Sequence, residues 1–189
     1  REASAIAPTP RPRHKLVKTL ARKIAQNGWD LVTGGGPGLM GAASDGHFDG
    51  RGDKKLHSVG LTIKLPHEDI PNPHLDIKKE FSRFSNRLDT FMLSSDVVVV
   101  APGGIGTLLE LFYTWQLVQV EHICETPIIL LGDQYQSLID WMKKNVLSKK
   151  LMDKDDFDFV FTVSTPTDAI DIIKEVVAAR ESGDHVCKN

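Results

Sequence analysis

The chain has 189 residues and a net charge of −2, with a pI near 6.4, so it lacks the basic excess of a nucleic-acid or membrane-surface binder. Apolar residues make up 41% and charged residues 25%, which fits one ordinary globular domain over 1–189, with an irregular start at 1–13 and a tail at 182–189. No apolar run approaches the roughly 18 residues of a membrane span, and no apolar segment follows a basic start as in a secretory signal, so a cytoplasmic protein is expected.

Pro8, Pro10 and Pro12 disfavour helix at the start. From His14 to Asn27 the apolar residues Leu16, Leu20 and Ile24 recur four apart, which predicts a helix ended by Gly28. Trp29 to Thr33 reads as a short strand. Gly34-Gly35-Gly36-Pro37-Gly38 breaks it, and a small-residue helix follows from Leu39 to Phe48. Ser58 to Ile63 reads as a second strand, followed by a polar loop with Pro66, Pro71 and Pro73. Phe81 to Ser95 reads as mainly helical.

Asp96 to Ala101 carries an unbroken valine run, the mark of a strand buried on both faces of a parallel sheet. A second glycine loop follows, then a helix to about Val120. Pro127 to Leu131 is a strand, Tyr135 to Leu147 a helix, Phe157 to Val163 a strand, and Thr165 to Ala179 a helix capped by Ser164 or Thr165. Strand and helix alternate, so the expected fold is α/β with a mostly parallel sheet and helices on both faces.

The pattern of strand, glycine loop and helix occurs twice, after Thr33 and after Ala101. Glycines let the backbone turn sharply and approach a ligand closely. The helix that follows begins with unpaired N–H groups and the positive end of its dipole, which together accept a phosphate. Gly35, Gly36 and Gly38, then Gly103, Gly104, Ile105, Gly106 and Thr107, are therefore the candidate phosphate-binding residues. No lysine of the P-loop type follows Gly106, which disfavours a P-loop NTPase.

Pro102 to Glu110 reads PGGxGTxxE. This resembles the signature of the LOG ("lonely guy") family, proteins similar to cytokinin riboside 5′-monophosphate phosphoribohydrolases and often labelled lysine decarboxylases. The resemblance runs over nearly the whole chain, and Gly34 to Met40 looks like the family's first phosphate-side loop. It implies a Rossmann-like sheet and a catalytic arginine paired with the glutamate of the motif. Those positions fall on Arg87 and Glu110. At the position after Arg87 the family's usual lysine is Leu88, and Phe91 stands where its methionine is expected, with Met92 next. Family members also open with a strand ahead of the first helix, and that first strand is expected to be missing from this chain.

The implied reaction is hydrolysis of the N-glycosidic bond of a nucleoside 5′-monophosphate to a free base and ribose 5-phosphate. A carboxylate such as Glu110 suits the oxocarbenium-like state of glycosidic cleavage. Arg87 offers a planar, permanently charged fork for positioning and electrostatics. The alternative is a non-catalytic carrier or sensor of a phosphorylated ligand on the same fold. An amino-acid decarboxylase is disfavoured because no lysine stands beside the glycine loops for a pyridoxal phosphate. Arg83, Asn86, His67, Glu68 and Asp69 are further residues that either line the site or are simply solvated. Neither cofactor nor metal is expected: the seven histidines show no HxH or HxxxH spacing, and Cys124 and Cys187 form no CxxC pair and read as free thiols. The expected partners are a nucleoside monophosphate and, through an apolar helix from Leu108 to Val120, a second copy in a homodimer. Trp115 on that helix is expected in the core or at that interface.

Overall fold

The computed structural model describes residues 12–64 and 72–182. The elements run α1 (Pro12–Gln26), β1 (Leu31–Thr33), α2 (Leu39–Arg51), β2 (Ser58–Ile63), β3 (Ile77–Phe81), α3 (Phe84–Leu93), β4 (Val98–Val100), α4 (Ile105–Gln119), β5 (Ile128–Leu131), α5 (Gln134–Asn145), β6 (Val160–Val163) and α6 (Pro166–Glu181). The alternation expected from sequence holds with three corrections. Helix α1 starts at Pro12 rather than after an irregular stretch to 13, because proline is tolerated in a helix's first turn. Trp29 stays outside β1; its N–H turns back to Ile24 O at 3.3 Å, and its carbonyl accepts from the buried His47 ring. The third correction is β3. Its Phe81 was expected to begin a helix, whereas Ile77–Phe81 pairs in parallel with β2, from Val59↔Ile77 to Ile63↔Phe81. It is an edge strand of mostly exposed charged residues, so it carries no alternating apolar signal.

All strand pairs are parallel, in two sheets of order β1-β2-β3 and β4-β5-β6. Strand β5 shows how the layers form. Ile128 and Leu130 pack with Leu111 and Trp115 of α4 and Ile139 of α5. Ile129 and Leu131 turn to the opposite face, against Leu20 and Ile24 of α1 and Ile170 and Ile173 of α6. All four β5 residues are fully buried. Each contributes about 1.5–3 kcal/mol from removal of its side chain from water. This two-sided burial is why the apolar run lacks the alternation of a one-sided strand.

Between the edges of β1 and β4 lies a cavity of about 850 Å³. Leu31 and Val32 line one wall, Val97 and Val99 the other, and Ile24 of α1 and Ile173 of α6 close one side. Neither facing edge has a strand partner among the described residues.

Helices α1 and α2 cross at backbone contact. A Cβ on Gly46 would lie 2.2 Å from Lys18 O, and one on Gly50 would lie 2.3 Å from Arg22 O. Lys18 also pairs with Asp49 at 2.9 Å across the same crossing. The expected capping of the last helix falls on Thr165, whose Oγ1 accepts from Asp168 N–H at 3.2 Å. Cys124 is disulfide-bonded, which corrects the free-thiol expectation; Cys187 lies outside the described residues.

Two consequences are measurable. An alanine in mid-helix normally stabilises relative to glycine. Gly46→Ala is expected to do the opposite, costing about 1–3 kcal/mol by forcing α1 off α2, read as a lower urea midpoint at unchanged slope. Asp76, just before β3, accepts from Arg51 at 2.6 Å and from Ser58 N–H at 2.7 Å. Burial pushes its carboxyl up, but these hydrogen bonds and the charges of Arg51 and His57 outweigh burial and hold it below the usual carboxylate value. Its contribution is therefore present at neutral pH and fades as pH falls through that lowered value. Asp76→Asn should cost about 1–2 kcal/mol at pH 7, and the difference from wild type should shrink below about pH 4.

Candidate functional site

Arg87 sits in the first turns of α3 and is buried, with its side chain 10% exposed. Three elements meet its guanidinium. Nε donates to Leu61 O of β2 at 2.6 Å. Nη1 donates to Glu110 Oε1 of α4 at 3.0 Å. Nη2 lies so close to Gly34 that a Cβ there would stand 2.5 Å from it. Phe91, one turn further along α3, puts its ring centroid 5.1 Å from the guanidinium carbon. Sequence reasoning found Arg87 and Glu110 but missed Phe91. The available signal was the i, i+4 spacing that places Arg87 and Phe91 on one helix face.

This geometry accounts for the departures from the family pattern. Leu88 is 5% exposed and belongs to the core. Phe91 takes the methionine's place beside the arginine and lines the cavity, as Glu110, Thr107 and Gly103 do. Arg83 and Asn86 stay exposed, outside this cluster. Trp115 is core: it is 4% exposed, and its indole N–H donates to Asp156 O at 2.9 Å. His67, Glu68 and Asp69 lie outside the described residues.

The two glycine loops differ in use. In the first, Gly35 has φ +71° and is buried, and a Cβ on it would stand 3.1 Å from Gly60 Cα of β2. Gly34 and Gly35 thus serve close packing against Arg87 and β2. Gly38, with φ +72°, precedes α2 and is exposed, while Gly36 is half-buried. In the second loop, Gly103, Gly104, Ile105 and Gly106 are all exposed, with Thr107 half-buried behind them. Gly104 O accepts the first bond of α4, from Leu108 N–H at 3.0 Å. The first N–H groups of that helix therefore have no intrahelical partner and face the open side of the site. Glu110 follows about one and a half turns into the same helix, roughly 7 Å along its axis from Ile105.

Thr107 folds back over the loop: a Cβ on Gly103 would lie 2.1 Å from its Oγ1, whereas one on Gly104 would meet nothing within 4 Å. Gly103→Ala should therefore cost about 1–3 kcal/mol. Gly104→Ala should change stability by less than about 0.5 kcal/mol. Chemical denaturation of the two variants side by side checks this.

The sequence profile of a family described as "Possible lysine decarboxylase" matches residues 40–173. "Probable cytokinin riboside 5'-monophosphate phosphoribohydrolase LOGL3" of Oryza sativa subsp. japonica is 32% identical over 132 residues, covering 67% of this chain and 60% of the relative. "Cytokinin riboside 5'-monophosphate phosphoribohydrolase LOG" of the same plant is 28% identical over 174 residues, covering 87% of this chain and 67% of the relative. The chain thus spans about 60% of the first relative's length. Among solved structures, the molybdenum cofactor binding protein of the phototrophic bacterium Rippkaea orientalis superposes with a TM-score of 0.67 at 26% identity, covering 92% of this chain and 91% of that one. The profile match, together with the PGGxGTxxE segment standing at a strand-to-helix turn beside Arg87, places the chain in the LOG family.

Proposed function

We propose that this protein hydrolyses the N-glycosidic bond of a nucleoside 5′-monophosphate, AMP or a cytokinin riboside monophosphate, releasing the base and ribose 5-phosphate. The observation that carries the reading is the buried Arg87 paired with Glu110 at 3.0 Å, on the helix whose start is the exposed glycine loop. A phosphate at Gly104 to Thr107 is held by N–H groups and the helix dipole. The ribose then extends along α4 toward Glu110. As the bond from C1′ to the base nitrogen breaks, positive charge develops on the sugar and the Glu110 carboxylate stabilises it. Glu110 also takes the proton of the water that adds to C1′, while the base leaves with the bonding pair and takes up a proton from solvent. Arg87 fixes the carboxylate in place through its Nη1–H at 3.0 Å, its planar fork being suited to a carboxylate. None of these steps calls on a cofactor or metal.

A second reading, a non-catalytic carrier of a phosphate-bearing ligand, is favoured by one observation: the likeness to a molybdenum cofactor binding protein over 92% of the chain. Incubation with AMP and related monophosphates, with chromatography of the free base, separates the two. Base release supports the hydrolase; ligand-induced stabilisation without base release supports the carrier. Glu110→Gln is expected to lower kcat by about 100-fold or more with the fold retained, and wild-type turnover in that variant would remove Glu110 from the mechanism.

We further propose that the exposed apolar face of α3 and α4 pairs with a second copy. Ile105 and Leu93 are 83% and 85% exposed, with Phe84, Leu109 and Phe112 also exposed on these helices. Large apolar side chains left open on adjacent helices are the kind of surface that protein partners cover. The expected mass in solution is twice 20.9 kDa, reduced to the monomer by Phe112→Asp; a wild-type monomer refutes the pairing.

A further inference from the structure

The glycine loop of α4 has to hold one shape to present its N–H groups, yet four of its residues are exposed and three of those are glycines. What fixes it lies underneath. Tyr135, in the first turn of α5, is 2% exposed. Its hydroxyl donates to Ala101 O at 2.6 Å, directly before Pro102. Burial, the largest influence, pushes the phenol above its ordinary value, against the smaller opposite pull of the Gln134 side chain and the Gly103 backbone. The hydroxyl therefore ties the chain directly before Pro102 to α5. Pro102 itself is buried and rests on Gly132, where a Cβ would stand 3.2 Å from the proline Cγ. Thr107 closes the loop from the other side, over Gly103.

Pro102 has no N–H, and the unpaired N–H groups of the loop lie at the start of α4, over Gly104, Ile105, Gly106 and Thr107. We infer that Tyr135 is a positioning residue for ligand phosphate: its hydroxyl anchors Ala101 O at the root of the loop and so aims the N–H groups of Gly104 to Thr107 at a phosphomonoester. The inference rests on the proposed phosphate site and goes beyond it by naming the residue that sets the loop's geometry.

Tyr135→Phe keeps the ring in the core and removes only the hydroxyl. In the full chain, the expected result is a rise of about tenfold in the Kd and KM for AMP, about the worth of one hydrogen bond, with kcat within twofold of wild type. Affinity for adenosine, which lacks the phosphate, should not change. A purely structural role would weaken AMP and adenosine alike, and that result overturns the inference. So does wild-type AMP affinity in Tyr135→Phe. A wild-type protein that binds adenosine but gains nothing from the phosphate of AMP overturns the phosphate site itself, and the inference with it. Calorimetry with AMP and adenosine reads every one of these affinities even if no base is released.

Discussion

The site depends on one buried cation. Arg87 is the point where β2, the loop after β1, and helix α4 touch the same group. The first two belong to one sheet and α4 follows the other, so the guanidinium is a cross-tie between halves that share no strand pairing among the described residues. A cation this deep needs its hydrogen bonds made. Removing one partner of a buried pair typically costs about 3–5 kcal/mol, and less here because the Glu110 side chain is 34% exposed. The same exposure matters chemically: one end of the pair is held by the protein, and the other opens onto the cavity where a ligand can reach it.

Glycine is used in this fold for three separate reasons. At Gly46 and Gly50 it lets two helices touch backbone to backbone. At Gly34 and Gly35 it makes room for an arginine and a neighbouring strand. At Gly104 and Gly106 there is no steric demand at all, and the absence of side chains simply leaves the helix start uncovered. A glycine-rich sequence cannot distinguish these cases, because the reason lies in what stands opposite.

That limit describes the legibility of the whole chain. Helix α1 was readable because its apolar residues recur at the helix repeat, and β5 because an unbroken apolar run marks a strand buried on both faces. Arg87 and Glu110 were readable because the spacing of a motif is linear information. Strand β3 was not, since Ile77-Lys78-Lys79-Glu80-Phe81 owes its conformation to backbone pairing with β2 and buries little. Phe91 behind the guanidinium and Tyr135 beneath the loop are also tertiary facts. Nothing near Tyr135 in sequence announces Ala101, which lies on the preceding strand-to-helix turn. The disulfide at Cys124 likewise left no mark in local sequence.

Strand β5 has a strand on each side and apolar side chains packed over both its faces. Peptide groups in such a row open only when much of the domain opens with them, and protection from hydrogen exchange falls away from it. The slow end of this protein's exchange clock is therefore expected at Ile128 to Leu131, the strand that delivers the chain to α5 and Tyr135.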